Sequence, residues 1–202
     1  FYVYSDLTRY LLQPHLPKTT KVKIACGPRY SKWKNHIGRL SNVANENKII
    51  LFVPSLAWWD NLTVLQGVHK CILTNSQGYI IVVRLHPNGV ISLKYRAKFA
   101  LWERSNKTRL STQNLYKDLK EATVVVGATS SVLSEATLLG RYSVSLDNPD
   151  FLYKPEMADH TVNVSSFSMG NIEQVINSGP KSTELVQFQE QSLGINESDF
   201  RL

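Results

Sequence analysis

Several chemistries are missing from this chain of 202 residues before any element is placed. Its only cysteines, Cys26 and Cys71, lack the C-x-x-C spacing of a zinc ribbon or a redox pair. They are either two free thiols, which fits a reducing cytosol, or one disulfide. No apolar run approaches the ~20 residues of a membrane-spanning helix. There is no Walker-type P-loop, no G-x-S-x-G nucleophile elbow, no paired-carboxylate motif and no metal-ligand spacing. Internal repeats and low-complexity segments are absent too.

The charge is positive, +7, but no Lys/Arg block carries it. The basic residues are spread, with a modest concentration between Lys94 and Arg109, so a solvated basic face is favoured over nucleic-acid binding. Hydrophobic residues at 43% against 19% charged place the chain among globular proteins rather than disordered ones. The opening residues do not read as a secretory leader. The four N-x-S/T triplets, at Asn61, Asn106, Asn163 and Asn196, are close to chance and give no reason to infer secretion. A chain beginning at Phe1 without Met is expected to be a piece of something longer.

What is present is an alternation of strands and helices. Leu7, Tyr10 and Leu11 predict a short helix ending at prolines, and Lys21–Ala25 a strand that stops at Cys26-Gly27-Pro28. Tyr30–Leu40 reads as helical or irregular, and Ser41–Asn47 as a polar connector. Lys48–Val53, Tyr79–Arg84, Thr123–Val126 and Tyr142–Leu146 read as strands, with Arg109–Ser111 and Thr161–Val164 as weaker ones. The uninterrupted apolar runs among them are expected where helices cover both faces of a sheet. Helices are predicted at Asp60–Leu73, Leu93–Leu101, Asn114–Ala122, Ser131–Leu139 (closed by Gly140), Asn171–Asn177 and Thr183–Ser192. The expected fold class is α/β, a Rossmann-like three-layer sandwich around a parallel sheet. Residues 1–47 are expected to be a connecting segment and 48–202 the α/β unit.

Two strand ends stand out. IIVVR runs into His86-Pro87, and proline restrains His86 to extended backbone, which turns its ring toward the crevice beside the sheet. There it is suited to donate to a phosphate or carry a proton, or else to bond a nearby carbonyl structurally. Arg84 shares its side of the strand and either clamps a phosphate or pairs with a carboxylate. The second end, Gly127-Ala128-Thr129-Ser130-Ser131, opens a helix. Its backbone N–H groups, hydroxyls and dipole favour an anion, and the small Gly127 and Ala128 admit close approach. The competing reading of Thr129, Ser130 and Ser131 is an N-cap cluster. Glu135, one turn after Ser131, is placed to accept from ribose hydroxyls, or is simply stabilised by the dipole. Trp58 and Trp59 either line a sugar or base site or anchor the sheet edge.

Together, His86-Pro87, Ser130-Ser131, the stretch GATSSVLSEATLLGR and Cys26-Gly27-Pro28-Arg29-Tyr30 resemble the C-terminal, donor-binding half of a GT-B glycosyltransferase over roughly Val22–Leu146. The likeness is to bacterial enzymes of surface-polysaccharide assembly with cytidine-nucleotide donors: sialyl-, polysialyl- and Kdo transferases and CDP-glycerol glycerophosphotransferases. The resemblance implies that His86 contacts the nucleotide's phosphate and stabilises the leaving group. It gives Ser130 and Ser131 the same group and Glu135 the ribose. The donor would be a CMP-, CDP- or UDP-linked sugar, with no metal or other cofactor required. The acceptor would be a saccharide or lipid-linked hydroxyl, the catalytic base would come from a missing N-terminal half, and the location would be cytoplasmic, peripheral on the anionic inner face of the membrane. A UDP-sugar 2-epimerase-like enzyme shares the architecture, and a non-catalytic nucleotide-binding or scaffold domain is the alternative from another class.

Overall fold

Ile49 to Val53 send alternate side chains to opposite faces of one strand, and both faces are apolar. Ile50 and Phe52 enter one core and Ile49, Leu51 and Val53 the other, with every one of the five at most 5% exposed. The same parity splits Ile81 and Val83 from Val82, and Val124 and Val126 from Val125. A sheet apolar on both sides needs a helical layer on each.

The structure, a computed structural model, describes residues 2–3, 12–24, 48–55, 58–75, 77–89, 93–104, 108–146, 162–164 and 166–177. Its main sheet contains β3 (Ile49–Phe52), β4 (Ile80–Val83), β5 (Thr108–Leu110), β6 (Val124–Gly127), β7 (Tyr142–Leu146) and β8 (Val162–Val164). All pairings are parallel and the spatial order is β5-β4-β3-β6-β7-β8. The helices are α1 (Trp58–Thr74), α2 (Leu93–Glu103), α3 (Leu115–Glu121), α4 (Val132–Leu138) and α5 (Met169–Asn177). Residues of α1, α2 and α5 pack into the core that receives Ile50, while α3 and α4 pack into the one that receives Leu51. The result is the expected Rossmann-like three-layer α/β sandwich.

Two glycines are required, Gly67 by close approach and Gly140 by its backbone conformation. A Cβ at Gly67, mid-helix in α1, would lie 2.6 Å from Cβ of Phe167, whose ring meets Phe52 edge-on at 6.3 Å. Gly140 adopts φ +85° just past α4. Its N–H donates to the Thr137 carbonyl (3.0 Å) and that of Arg141 to Ala136 (2.8 Å), the paired bonds of a Schellman stop.

At the N-terminus the strand expected within Lys21–Ala25 is present, whereas Tyr2–Val3, read as part of a helix and loop, needs correction. Tyr2–Val3 is a strand, β1, pairing in parallel with β2 (Lys23–Ile24) in a separate two-stranded sheet. This pairing joins segments some twenty residues apart, and no local periodicity announces it. Gln13–His15 is a single 3₁₀ turn. The predicted helix around Leu7–Leu11, the Cys26–Tyr30 turn, the segment Tyr30–Asn47 and the helix at Thr183–Ser192 lie outside the described residues. Cys71 is a free, buried thiol, and burial pushes its pKa up to about 12.

Candidate functional site

The strand order creates the site. From β3 the chain steps through α1, β4 and α2 to β5 at one edge, then α3 carries it back across the opposite face to β6 on β3's other side. The crossovers therefore diverge at the C-terminal ends of β3 and β6, the switch point where α/β sheets of this kind open a crevice. The crevice here holds about 260 Å³ and is lined by Val53, Pro54, Arg84, Leu85, His86, Pro87, Leu115, Ser130, Ser131 and Val132. His86 and the Ser130-Ser131 pair, 44 residues apart in sequence, thus share one cavity.

The β4 wall is set by a tight turn. Pro87 follows His86, and the Gly89 N–H donates to the His86 carbonyl at 2.8 Å. The Asn88 N–H donates to His86 Nδ1 at 3.2 Å. A ring nitrogen that accepts carries no proton, so the imidazole hydrogen is on Nε2, which is left as a donor. Arg84 keeps the parity of Val82 and so turns toward the α3 layer. Its Nη1 donates to Asp118 Oδ2 and to the Gln113 carbonyl, both at 2.7 Å. Of the two roles expected for Arg84, carboxylate pairing is realised, although the carboxylate is buried rather than on the surface: the Asp118 side chain is 2% exposed.

The β6 wall is built by packing. The Val53 N–H donates to the Val126 carbonyl at 2.8 Å, one residue past the end of β3. A Cβ at Gly127 would sit 3.0 Å from Val53 Cγ2 and 3.1 Å from the Val53 carbonyl oxygen. The small size of Gly127 therefore serves strand contact, and Ala128, 1% exposed, is covered as well. Ser145 Oγ donates to the Ala128 carbonyl at 3.0 Å and holds the turn from β7. Thr129 lies with its Oγ1 3.4 Å from Ser55 Oγ, outside the crevice lining. Ser130 accepts from the Val132 N–H at 3.4 Å, whereas Ser131, the residue preceding α4, makes no side-chain capping bond. Glu135 is 0% exposed and outside the lining, because the first turn of α4 carries it from the crevice into the interior.

The structure thus brings Arg84, His86, Ser130 and Ser131 together and leaves Gly127, Thr129 and Glu135 apart from the cavity surface. Trp58 and Trp59 belong to the first turn of α1. Sequence reasoning missed Asp118 and Leu115. The signal for Asp118 was there: Leu115, Asp118, Leu119 and Ala122 share one helical stripe, and a lone charge on an apolar stripe calls for a buried partner.

No protein-family model matches the sequence, and no curated protein matches it. Solved structures do. UDP-GlcNAc 2-epimerase of Methanocaldococcus jannaschii, in complex with UDP-GlcNAc and UDP, aligns with TM-score 0.57 at 12% identity over 97% of this chain and 61% of its own. HepE of Anabaena, in complex with UDP-glucose, aligns with TM-score 0.51 at 11% identity over 95% and 59%. The wall teichoic acid polymerase TagF aligns with TM-score 0.51 at 13% identity over 97% and 54%. This chain spans between 54% and 61% of the length of these three. At such identities the likeness shows the fold alone: an α/β, Rossmann-like parallel sheet of the kind that makes up one half of a GT-B protein.

Proposed function

We propose that this chain is the donor-binding part of a glycosyltransferase that moves a sugar, or a glycerol phosphate, from a nucleotide to an acceptor hydroxyl. The observation that carries the reading is the convergence of His86, Ser130 and Ser131 on one crevice at the sheet's switch point. Nε2–H of His86 and the hydroxyls of Ser130 and Ser131 are donors placed on opposite walls. Between them they suit the phosphate of a nucleotide-sugar, and they would stabilise negative charge gathering on it as the glycosidic oxygen departs. Glu135 reaches a ribose only if the first turn of α4 moves, so the proposal rests on the other three. The donor is proposed to be CMP- or CDP-linked, on the motif resemblance. The general base and the acceptor site are assigned to a second domain, and the product to surface polysaccharide or glycolipid made at the inner face of the membrane. Among the described residues no helix is long and apolar enough to cross a membrane.

The test is a thermal-shift titration with CMP, CDP, UMP and UDP. A ligand bound only by the folded chain at a hundred times its Kd stabilises by about 2.7 kcal/mol, a shift of roughly 5–10 °C at this size. Cytidine preference supports the proposal, and His86→Ala abolishes the shift. The epimerase reading, with the M. jannaschii enzyme among the structures that share the fold, predicts uridine preference. Silence with all four nucleotides indicates a scaffold.

A further inference from the structure

Three separate pieces of chain meet at one carboxylate oxygen. Asp118 Oδ2 accepts from Arg84 Nη1 at 2.7 Å and from Ser111 Oγ at 2.5 Å. Arg84 Nη1 also donates to the Gln113 carbonyl at 2.7 Å, and the Gln113 N–H donates to Ser111 Oγ at 3.3 Å. Asn114 then caps α3, its side chain accepting from the Lys117 N–H at 2.9 Å. The end of β4, the connection after β5 and the first turn of α3 are thereby joined. Two of the three, through His86 and Leu115, supply lining to the crevice.

We infer that Asp118 is a positioning residue. By holding Arg84, it fixes the end of β4, and with it the His86 turn, against the start of α3, and so sets the shape of the crevice without touching a ligand itself. The Asp118 side chain is 2% exposed and the Arg84 side chain 23%, so the pair is shielded enough to hold one arrangement rather than exchange with water. The placement of the β4 end against the start of α3 follows from this geometry alone. Only the nucleotide-binding arm of the test rests on the function proposed above.

The experiment compares the full chain with Asp118→Asn, Ser111→Ala and the double variant Arg84→Met, Asp118→Leu, which leaves no unpaired charge behind. Amide hydrogen exchange is read at Asn88, whose N–H marks the His86 turn, and at Gln113. Affinity for CMP and UMP is read well below each variant's melting temperature. The inference expects at least tenfold faster exchange at both amides and at least tenfold weaker nucleotide binding in Asp118→Asn. It expects the same losses in the double variant even where its melting temperature matches the parent, which a purely stabilising role would not produce. Should Asp118→Asn fail to fold, Ser111→Ala and the double variant carry the comparison, with a smaller loss in Ser111→Ala. Parental exchange at both amides in folded variants overturns the inference. So does tighter nucleotide binding in Asp118→Asn, which would mean that Asp118 merely screens Arg84 from the anion. If the parent binds neither nucleotide, nor CDP or UDP, the functional proposal fails and the exchange rates still decide the positioning role.

Discussion

The two walls of the crevice are held by different physics. The β4 wall depends on charge and directed hydrogen bonds: a buried ion pair, a hydroxyl and a turn that fixes the His86 tautomer. The β6 wall depends on shape: Gly127 against Val53, and a helix closed by Gly140. The first should fail when a charge is left alone, and the second when volume is added. One residue spans both sides. Arg141, between α4 and β7, donates from Nε to the Leu119 carbonyl at 3.0 Å and from Nη2 to that of Lys120, and so caps the C-terminal end of α3. Burial pulls its pKa down to about 10, which still leaves the guanidinium charged at neutral pH.

The largest stability loss is expected from Arg84→Met, which strands the Asp118 charge in the interior. Breaking a buried pair this way costs about 3–5 kcal/mol, and urea melts should show it as a lowered midpoint with unchanged slope. A loss under 1 kcal/mol would place the pair among ordinary surface contacts and erase the contrast between the walls. Next comes added volume: Gly127→Ala pushes a methyl group against the Val53 backbone and should cost about 1–3 kcal/mol, with Gly67→Ala similar because the Phe167 ring must shift. Smaller still is Arg141→Met, which frees two helix carbonyls but also removes a desolvated charge, at about 1–2 kcal/mol. Least is Arg109→Ala. Its 3.4 Å pair with Glu121 is half exposed, so stability should change by less than about 0.5 kcal/mol.

The strands were legible because burial on both faces writes itself as unbroken apolar runs. Lys48–Val53 shrank only to Ile49–Phe52, and Tyr142–Leu146 kept its bounds. The strand at Tyr2–Val3 was not legible, since its partner lies elsewhere in the chain and nothing local selects it. In the site, His86 announced itself through Pro87, and Gly140 through its position after the helix. Asp118 was hidden in LYKDLKE, where Lys117, Lys120 and Glu121 make the helix look solvated until the stripe from Leu115 to Ala122 is drawn. Gly127 was seen, but its use was not: a glycine beside a hydroxyl cluster suggests room for a ligand, and only the paired strand shows that Val53 takes the room.

The central claim is that one nucleotide phosphate lies between the His86 ring and the Ser130-Ser131 hydroxyls. Its most direct test is a two-dimensional amide and imidazole NMR titration of the full chain with CMP. The account predicts that the His86 Nε2–H resonance and the amides of Ser130, Ser131 and Val132 move together along one binding curve. Saturable binding that leaves these signals in place, or moves those of one wall alone, would contradict it.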